Sequence, residues 1–161
     1  MNGCVLITFS SSSSFSCKLL CIAVAPFEFV IIITVVRLFN QGMDIVEVSD
    51  DGCGVPLTSR AALATAHATS KIRSFEDIYT ANCHTMGFRG EALFCLANLS
   101  GRLIVATRTA TDVLAQKLEF QRDGTLHPAT TEMPRKIGTT VAVVRLFEAV
   151  PVRRADMMRH I

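Results

Sequence analysis

A glycine stands at each end of Gly87-Phe88-Arg89-Gly90, and the chain runs on through Glu91-Ala92-Leu93 into an apolar, helix-forming segment. Glycine permits a bend where a Cβ would clash, and the first N–H groups of a helix opening at Glu91 have no partner inside that helix. Together with the positive end of the helix dipole, those donors suit anionic oxygens, so the spacing predicts a phosphate-holding loop. A plain turn has the same composition. The choice between the two depends on what else the chain carries.

With 161 residues, 50% of them hydrophobic and 19% charged, the chain is long enough to bury the core of one compact domain and too apolar for a disordered segment. A formal net charge of +2 gives no global field for nucleic acid, although Arg153, Arg154 and Arg159 gather near the C-terminal end. That basic end suits either DNA phosphates or a solvated face. Cys4, Cys17, Cys21, Cys53, Cys83 and Cys95 form no C-x-x-C pair and have no histidines at zinc spacing, which argues against a metal centre. They read as reduced, buried thiols of an intracellular protein.

Two regions differ in composition. Residues 1–33 form a leader that is first serine-rich, with a run from Ser10 to Ser14 and no defensible helix or strand period, and then hydrophobic. Residues 19–36 approach the length of a bilayer span, but Pro26 and Glu28 interrupt them, and no basic n-region beyond Lys18 precedes them. A β-rich core element competes with a membrane anchor here, because Phe29 to Val36 is dominated by β-branched residues. A third reading makes the leader foreign to the fold.

From Thr34 the order becomes regular. Thr34–Phe39 reads as a strand, Asn40-Gln41-Gly42 as a tight turn and Asp44–Ser49 as the second arm of an antiparallel hairpin. That arm ends in Asp50-Asp51-Gly52-Cys53-Gly54. A carboxylate fixed at a strand end can accept a hydrogen bond from the exocyclic amine of adenine, while Gly52 and Gly54 let backbone approach the base; an Asp-Gly turn is the bland alternative. Leu57–Ala68 favours helix, with Pro56 at its start. It delivers His67-Ala68-Thr69-Ser70-Lys71, which suits a lid over a triphosphate or a solvated helix end. Ser74–Tyr79 reads as a short helix, residues 91–99 as the helix behind the glycine loop, and Leu103–Arg108, Ala115–Gln121 and Thr139–Leu146 as strands of a meander, with a turn at Asp123-Gly124. Gly138-Thr139-Thr140 opens the last of these strands.

Taken in order, Asp50-x-Gly52-x-Gly54, His67-Ala68-Thr69-Ser70-Lys71, Gly87 to Leu93, Gly138-Thr139-Thr140 and Pro151-Val152-Arg153-Arg154 resemble the MutL/PMS family of DNA mismatch-repair ATPases, within the GHKL superfamily. The resemblance covers residues 34–161. It implies an α/β fold, a two-layer sandwich of helices on a mixed β-sheet (the Bergerat, or histidine-kinase-like, ATPase fold), truncated at both ends. It also implies that Asp50, Gly52 and Gly54 bind adenine, that Thr69, Ser70 and Lys71 lie in the lid, that Gly87, Phe88, Arg89, Gly90, Glu91, Ala92 and Leu93 hold phosphates, and that Thr139 or Thr140 supports the base. The implied cofactors are ATP and Mg²⁺, the implied partners a MutL-homologue subunit in a heterodimer and mismatched DNA, and the implied location the nucleus.

The sequence also departs from the family. Members carry a Glu-x-x-x-Asn helix roughly thirty residues before the adenine-binding aspartate, its glutamate activating water and its asparagine holding Mg²⁺. At that distance from Asp50 stand Cys21 and Ala25; Glu28 is followed four residues later by Ile32. Thiol and apolar side chains replace neither a general base nor a hard-cation ligand. Asp51 stands where the family usually has asparagine. The expectation is a fragment with an ATP-binding module and impaired hydrolysis. The competing expectation is a non-enzymatic protein, membrane-anchored or a pseudoenzyme, that uses this surface for partners.

Overall fold

The computed structural model describes residues 3–11, 14–25, 28–68 and 90–160. Eight strands form one sheet: β1 (Gly3–Ser11), β2 (Ser14–Ala25), β3 (Glu28–Phe39), β4 (Ile45–Asp50), β5 (Ser100–Arg108), β6 (Ala115–Phe120), β7 (Thr131–Met133) and β8 (Gly138–Leu146). Their spatial order is β1-β2-β3-β4-β8-β5-β6-β7. Every described pairing is antiparallel, so the expected mixed sheet is antiparallel throughout the described strands. Among the described residues the helices are α1 (Leu57–Arg60), α2 (Ala92–Leu99) and α3 (Pro151–Arg159).

Alternation along the strands builds one apolar face. In register across the sheet, Val46 of β4 meets Val143 of β8, which meets Leu103 of β5, which meets Phe120 of β6; the next row is Val48, Val141, Val105 and Leu118. Direct cross-strand partners share a face, so both rows look the same way. Against them lie Leu93, Leu96 and Ala97 of α2, at the i, i+3, i+4 spacing that makes one helical stripe, together with Leu63 and Ala64. This is the two-layer α/β arrangement. Leu103, Val105 and Leu118 are almost wholly removed from water, each contributing about 1.5–3 kcal/mol of hydrophobic stabilisation. Ser100 joins the layers directly: its hydroxyl donates to the carbonyl of Leu96 at 2.6 Å, closing α2 at the residue where β5 begins.

The hairpin expected around Asn40-Gln41-Gly42 is present, with Val36 opposite Val48 and a 3-10 turn between the arms. The expected meander is not, because β8 lies between β4 and β5. Chain neighbours are the natural guess from sequence, whereas β8 is a nine-residue strand that pairs along both edges and is stabilised most in the centre of the sheet. The expected helix over Leu57–Ala68 is also reduced to Leu57–Arg60. Beyond it Leu63, Thr65 and Ala68 make i→i−3 backbone bonds of turns, Arg60 is drawn inward to polar partners and Ala64 drops into the core, so tertiary demands override alanine's helix preference.

The leader is not structureless: it supplies β1, β2 and the start of β3, and β3 crosses the residue 33/34 boundary without a break. Residues 19–25 fall in β2 and 28–36 in β3, and among the described residues no helix is long and apolar enough to cross a membrane. Cys53 and Cys95 are free and exposed rather than buried. The C-terminal basic stretch folds as α3, which has no buried residue, with the Arg153 guanidinium 6.0 Å from the centre of the Phe147 ring.

Candidate functional site

Strand β4 ends at Asp50, beside the first residues of β8. Asp50 Oδ1 accepts hydrogen bonds from the backbone N–H of Gly52 at 2.9 Å and of Thr139 at 3.1 Å. The first bends the chain after the strand into an Asx turn; the second ties that turn to β8. Among the described residues both hydrogen bonds to this carboxylate go to Oδ1, leaving the lone pairs of Oδ2 for another donor. Asp50 lies on the helix-facing side with Val46 and Val48, so the carboxylate stands at the edge of the apolar layer.

The loop after Asp50 is clamped against β5. Gly54 has φ +75°, and a Cβ there would lie 2.2 Å from the carbonyl oxygen of Arg108, so only glycine lets the two backbones come this close. Val55 N–H donates at 2.8 Å to the hydroxyl of Thr107, a fully buried residue whose Oγ1 is also 3.2 Å from Oγ1 of Thr139. One threonine hydroxyl therefore joins the loop, β5 and β8.

Thr139 and Thr140 face opposite ways. Thr140 Oγ1 is 2.8 Å from Ser49 Oγ on the far side of the sheet, where Arg135 donates to it through Nη2 at 2.9 Å and Nε at 3.1 Å. Arg135 Nη2 also reaches the Asp50 carbonyl at 3.0 Å. Burial pushes the Arg135 guanidinium below its ordinary pKa, while the charges of Asp50 and Glu47 oppose that shift. The strand end is thus gripped from both faces, and only Thr139 shares a side with the Asp50 carboxylate.

Thr69, Ser70, Lys71, Gly87, Phe88 and Arg89 lie outside the described residues, as does the expected helix Ser74–Tyr79. The described ends of the two motifs meet. His67 N–H donates to the carbonyl of Gly90 at 3.1 Å, and His67 Nδ1 lies 3.6 Å from Glu91 Oε1. Gly90 has φ +63°, and a Cβ there would lie 2.3 Å from the carbonyl oxygen of Ala68, again requiring glycine. Glu91 stands at the N-cap of α2 without a side-chain capping bond; Ala92 is exposed, and Leu93 turns into the core.

Thr107, Arg135 and Arg60 hold this region together although no sequence motif pointed to them. Thr107 stands within a strand and Arg135 in a short basic run, where neither spacing nor composition signals a role. Arg60 sits in what reads as a helix surface.

No protein-family model matches the chain. Over 126 residues, 78% of the chain, it is 41% identical to the mismatch repair endonuclease pms1 of Dictyostelium discoideum and 43% identical to the DNA mismatch repair protein PMS1 of Arabidopsis thaliana. It is 40% identical over 125 residues to the mismatch repair endonuclease PMS2 of Homo sapiens. Over this stretch the chain belongs to the MutL/PMS family. The matches span only 12%, 13% and 14% of those three relatives. A solved structure described as the N-terminal domain of a DNA repair protein superposes on 73% of the chain with a TM-score of 0.57 and 34% identity, covering 31% of that structure. The structural likeness agrees with the α/β layers described above.

Proposed function

We propose that residues 34–161 form an adenine-nucleotide-binding module of a MutL/PMS mismatch-repair ATPase. The observation that carries this reading is the Asp50 carboxylate, pinned through Oδ1 by two backbone amides while Oδ2 is left to accept the adenine amine. Gly52 and Gly54 line the approach, and Thr139 borders the base on the same side of the sheet. Thr140 contributes from the far face by holding Arg135 and the strand end rather than by touching the base. Thr69, Ser70 and Lys71 are the lid, and Gly87 to Leu93 the phosphate loop; the contact of His67 and Ala68 with Gly90 and Glu91 supports their acting together.

ATP binding and ATP hydrolysis separate in this chain. At the distance of the family's Glu-x-x-x-Asn helix, Cys21 and Ala25 fall in β2, and Glu28 and Ile32 in β3. In a strand residues i and i+4 share a face but stand about 13 Å apart, too far to hold one ion together, and neither pair offers a carboxylate beside an amide oxygen. These residues do not fit the family's Mg²⁺ site. The module binds nucleotide with hydrolysis impaired, and works in the nucleus beside a MutL-homologue subunit on mismatched DNA. The membrane-anchor alternative has no supporting observation.

Calorimetric titration of the 161-residue chain with ATP and with GTP tests the reading. A carboxylate accepts from the amine of adenine and repels the carbonyl of guanine, so ATP should bind at least about tenfold more tightly. Equal affinities, or none, would refute the proposal. Phosphate release at the rate of a full-length relative would refute the impairment of hydrolysis.

A further inference from the structure

Arg60 has only 3% of its side chain exposed, and its guanidinium has three partners on three segments. Nε donates to the carbonyl of Val55 at 3.0 Å, Nη1 to Gln116 Oε1 at 2.9 Å, and Nη2 to the carboxylate of Asp112. Asp112 is itself built in: its Oδ2 accepts from the amide and the hydroxyl of Thr109, each at 2.7 Å, and its backbone carbonyl accepts from Arg108 Nε at 3.2 Å. The planar guanidinium fork suits such a three-way junction in a manner that a lysine does not.

Val55 is the residue that gives this junction a consequence. Its N–H is held by Thr107, its carbonyl by Arg60, and Gly54 immediately before it lies flush against the Arg108 backbone. The peptides on both sides of Val55 are therefore fixed to β5 and to the turn that follows it. An ordinary buried ion pair would need none of these contacts with the Asp50–Gly54 loop.

We propose that Arg60, braced by Asp112, is a positioning residue for the nucleotide loop, setting the distance of Gly52 and Gly54 from the base. The proposal rests on the nucleotide-binding reading above. Arg60 touches no ligand and acts through the Val55 carbonyl.

The test uses the whole chain and two independent readouts, hydrogen exchange at the Val55 amide without ligand and affinity for ATP by calorimetry. In Arg60→Met the Val55 amide is expected to exchange about tenfold faster and ATP to bind about tenfold more weakly. Asp112→Asn keeps the side-chain shape and weakens the brace, so it should move both readouts the same way by roughly threefold, and it serves if the first variant does not fold. Gln116→Leu removes a partner of Arg60 but not the Val55 bond; it should lower the melting temperature while leaving both readouts near wild type. Wild-type Val55 exchange in a folded Arg60→Met or Asp112→Asn variant overturns the proposal. Faster exchange with unchanged ATP affinity also overturns it, reducing Arg60 to a structural role. A wild-type chain that binds no ATP defeats the nucleotide reading and the proposal with it, and the exchange rates then report only whether Arg60 fixes the loop.

Discussion

Asp50 Oδ1 and the backbone nitrogen of Thr139 lie 3.1 Å apart, joining the last residue of β4 to the start of β8. Because the same oxygen holds the Gly52 amide, one atom serves the fold and its twin is left for the ligand. Asp50→Asn separates the two tasks. The asparagine oxygen still accepts from both amides, so the melting temperature should stay near wild type, but the other position becomes an NH₂ donor facing the adenine amine. ATP affinity should fall by about tenfold or more, with GTP gaining relative to ATP. Calorimetry with both nucleotides measures this, and an unchanged ATP preference would contradict the assignment of Oδ2.

Gly54→Ala tests the close approach of the loop to β5. The substitution combines φ +75° with a Cβ 2.2 Å from the Arg108 carbonyl oxygen, and both contacting groups are backbone, so neither can swing away. A loss of about 1–3 kcal/mol in urea unfolding is the expected result. A midpoint equal to that of the wild type would show that the loop does not sit against β5.

Strands were legible wherever apolar alternation fell between turn residues: the arms on either side of Asn40-Gln41-Gly42, and β6 with the turn at Asp123-Gly124 that follows it, occur close to where the sequence puts them, whereas the three-residue β7 was not expected. The insertion of β8 between β4 and β5 was not legible, because registry between segments some ninety residues apart leaves no mark in local periodicity. At the site, Asp50, Gly54 and Gly90 could be found because their chemistry is unusual for their positions. Thr107, Arg60 and Arg135 could not, since each is defined by partners distant in sequence. The opposite facing of Thr139 and Thr140 follows from strand alternation alone, once it is known that Ser49 and Asp50 are their neighbours.

Leu103 is where the two layers depend most on packing. It is fully buried between Val143 and Phe120, within the cluster that also takes in Ala97 of α2. Leu103→Ala removes apolar contacts and leaves a cavity, so unfolding by urea should show a loss of about 2–5 kcal/mol. Val113→Ala is the control, because Val113 is 87% exposed and its truncation should change stability by no more than about 0.5 kcal/mol. Similar losses at the two positions would mean that the core does not lie between α2 and the central strands.

Acid unfolding of an Asp112 variant beside the wild type reports on the Arg60–Asp112 junction. The amide of Thr109, then its hydroxyl, then Arg60 hold the Asp112 carboxyl down at about 2, against an ordinary value of 3.8. A carboxylate whose pKa is lowered by folding contributes stability that is complete above its unfolded value and is lost as pH falls through the folded one. For Asp112 the loss therefore begins near pH 4 and is largely complete near pH 2, and nothing changes between pH 6 and pH 8. Asp112→Asn removes the titrating group, so the variant should be less stable than wild type at pH 7, and the gap should narrow as pH falls from 4 to 2. Urea midpoints measured at pH 7, 4, 3 and 2 follow the gap directly. A difference that stays constant across those four values would show that Asp112 is not held ionised by Thr109 and Arg60.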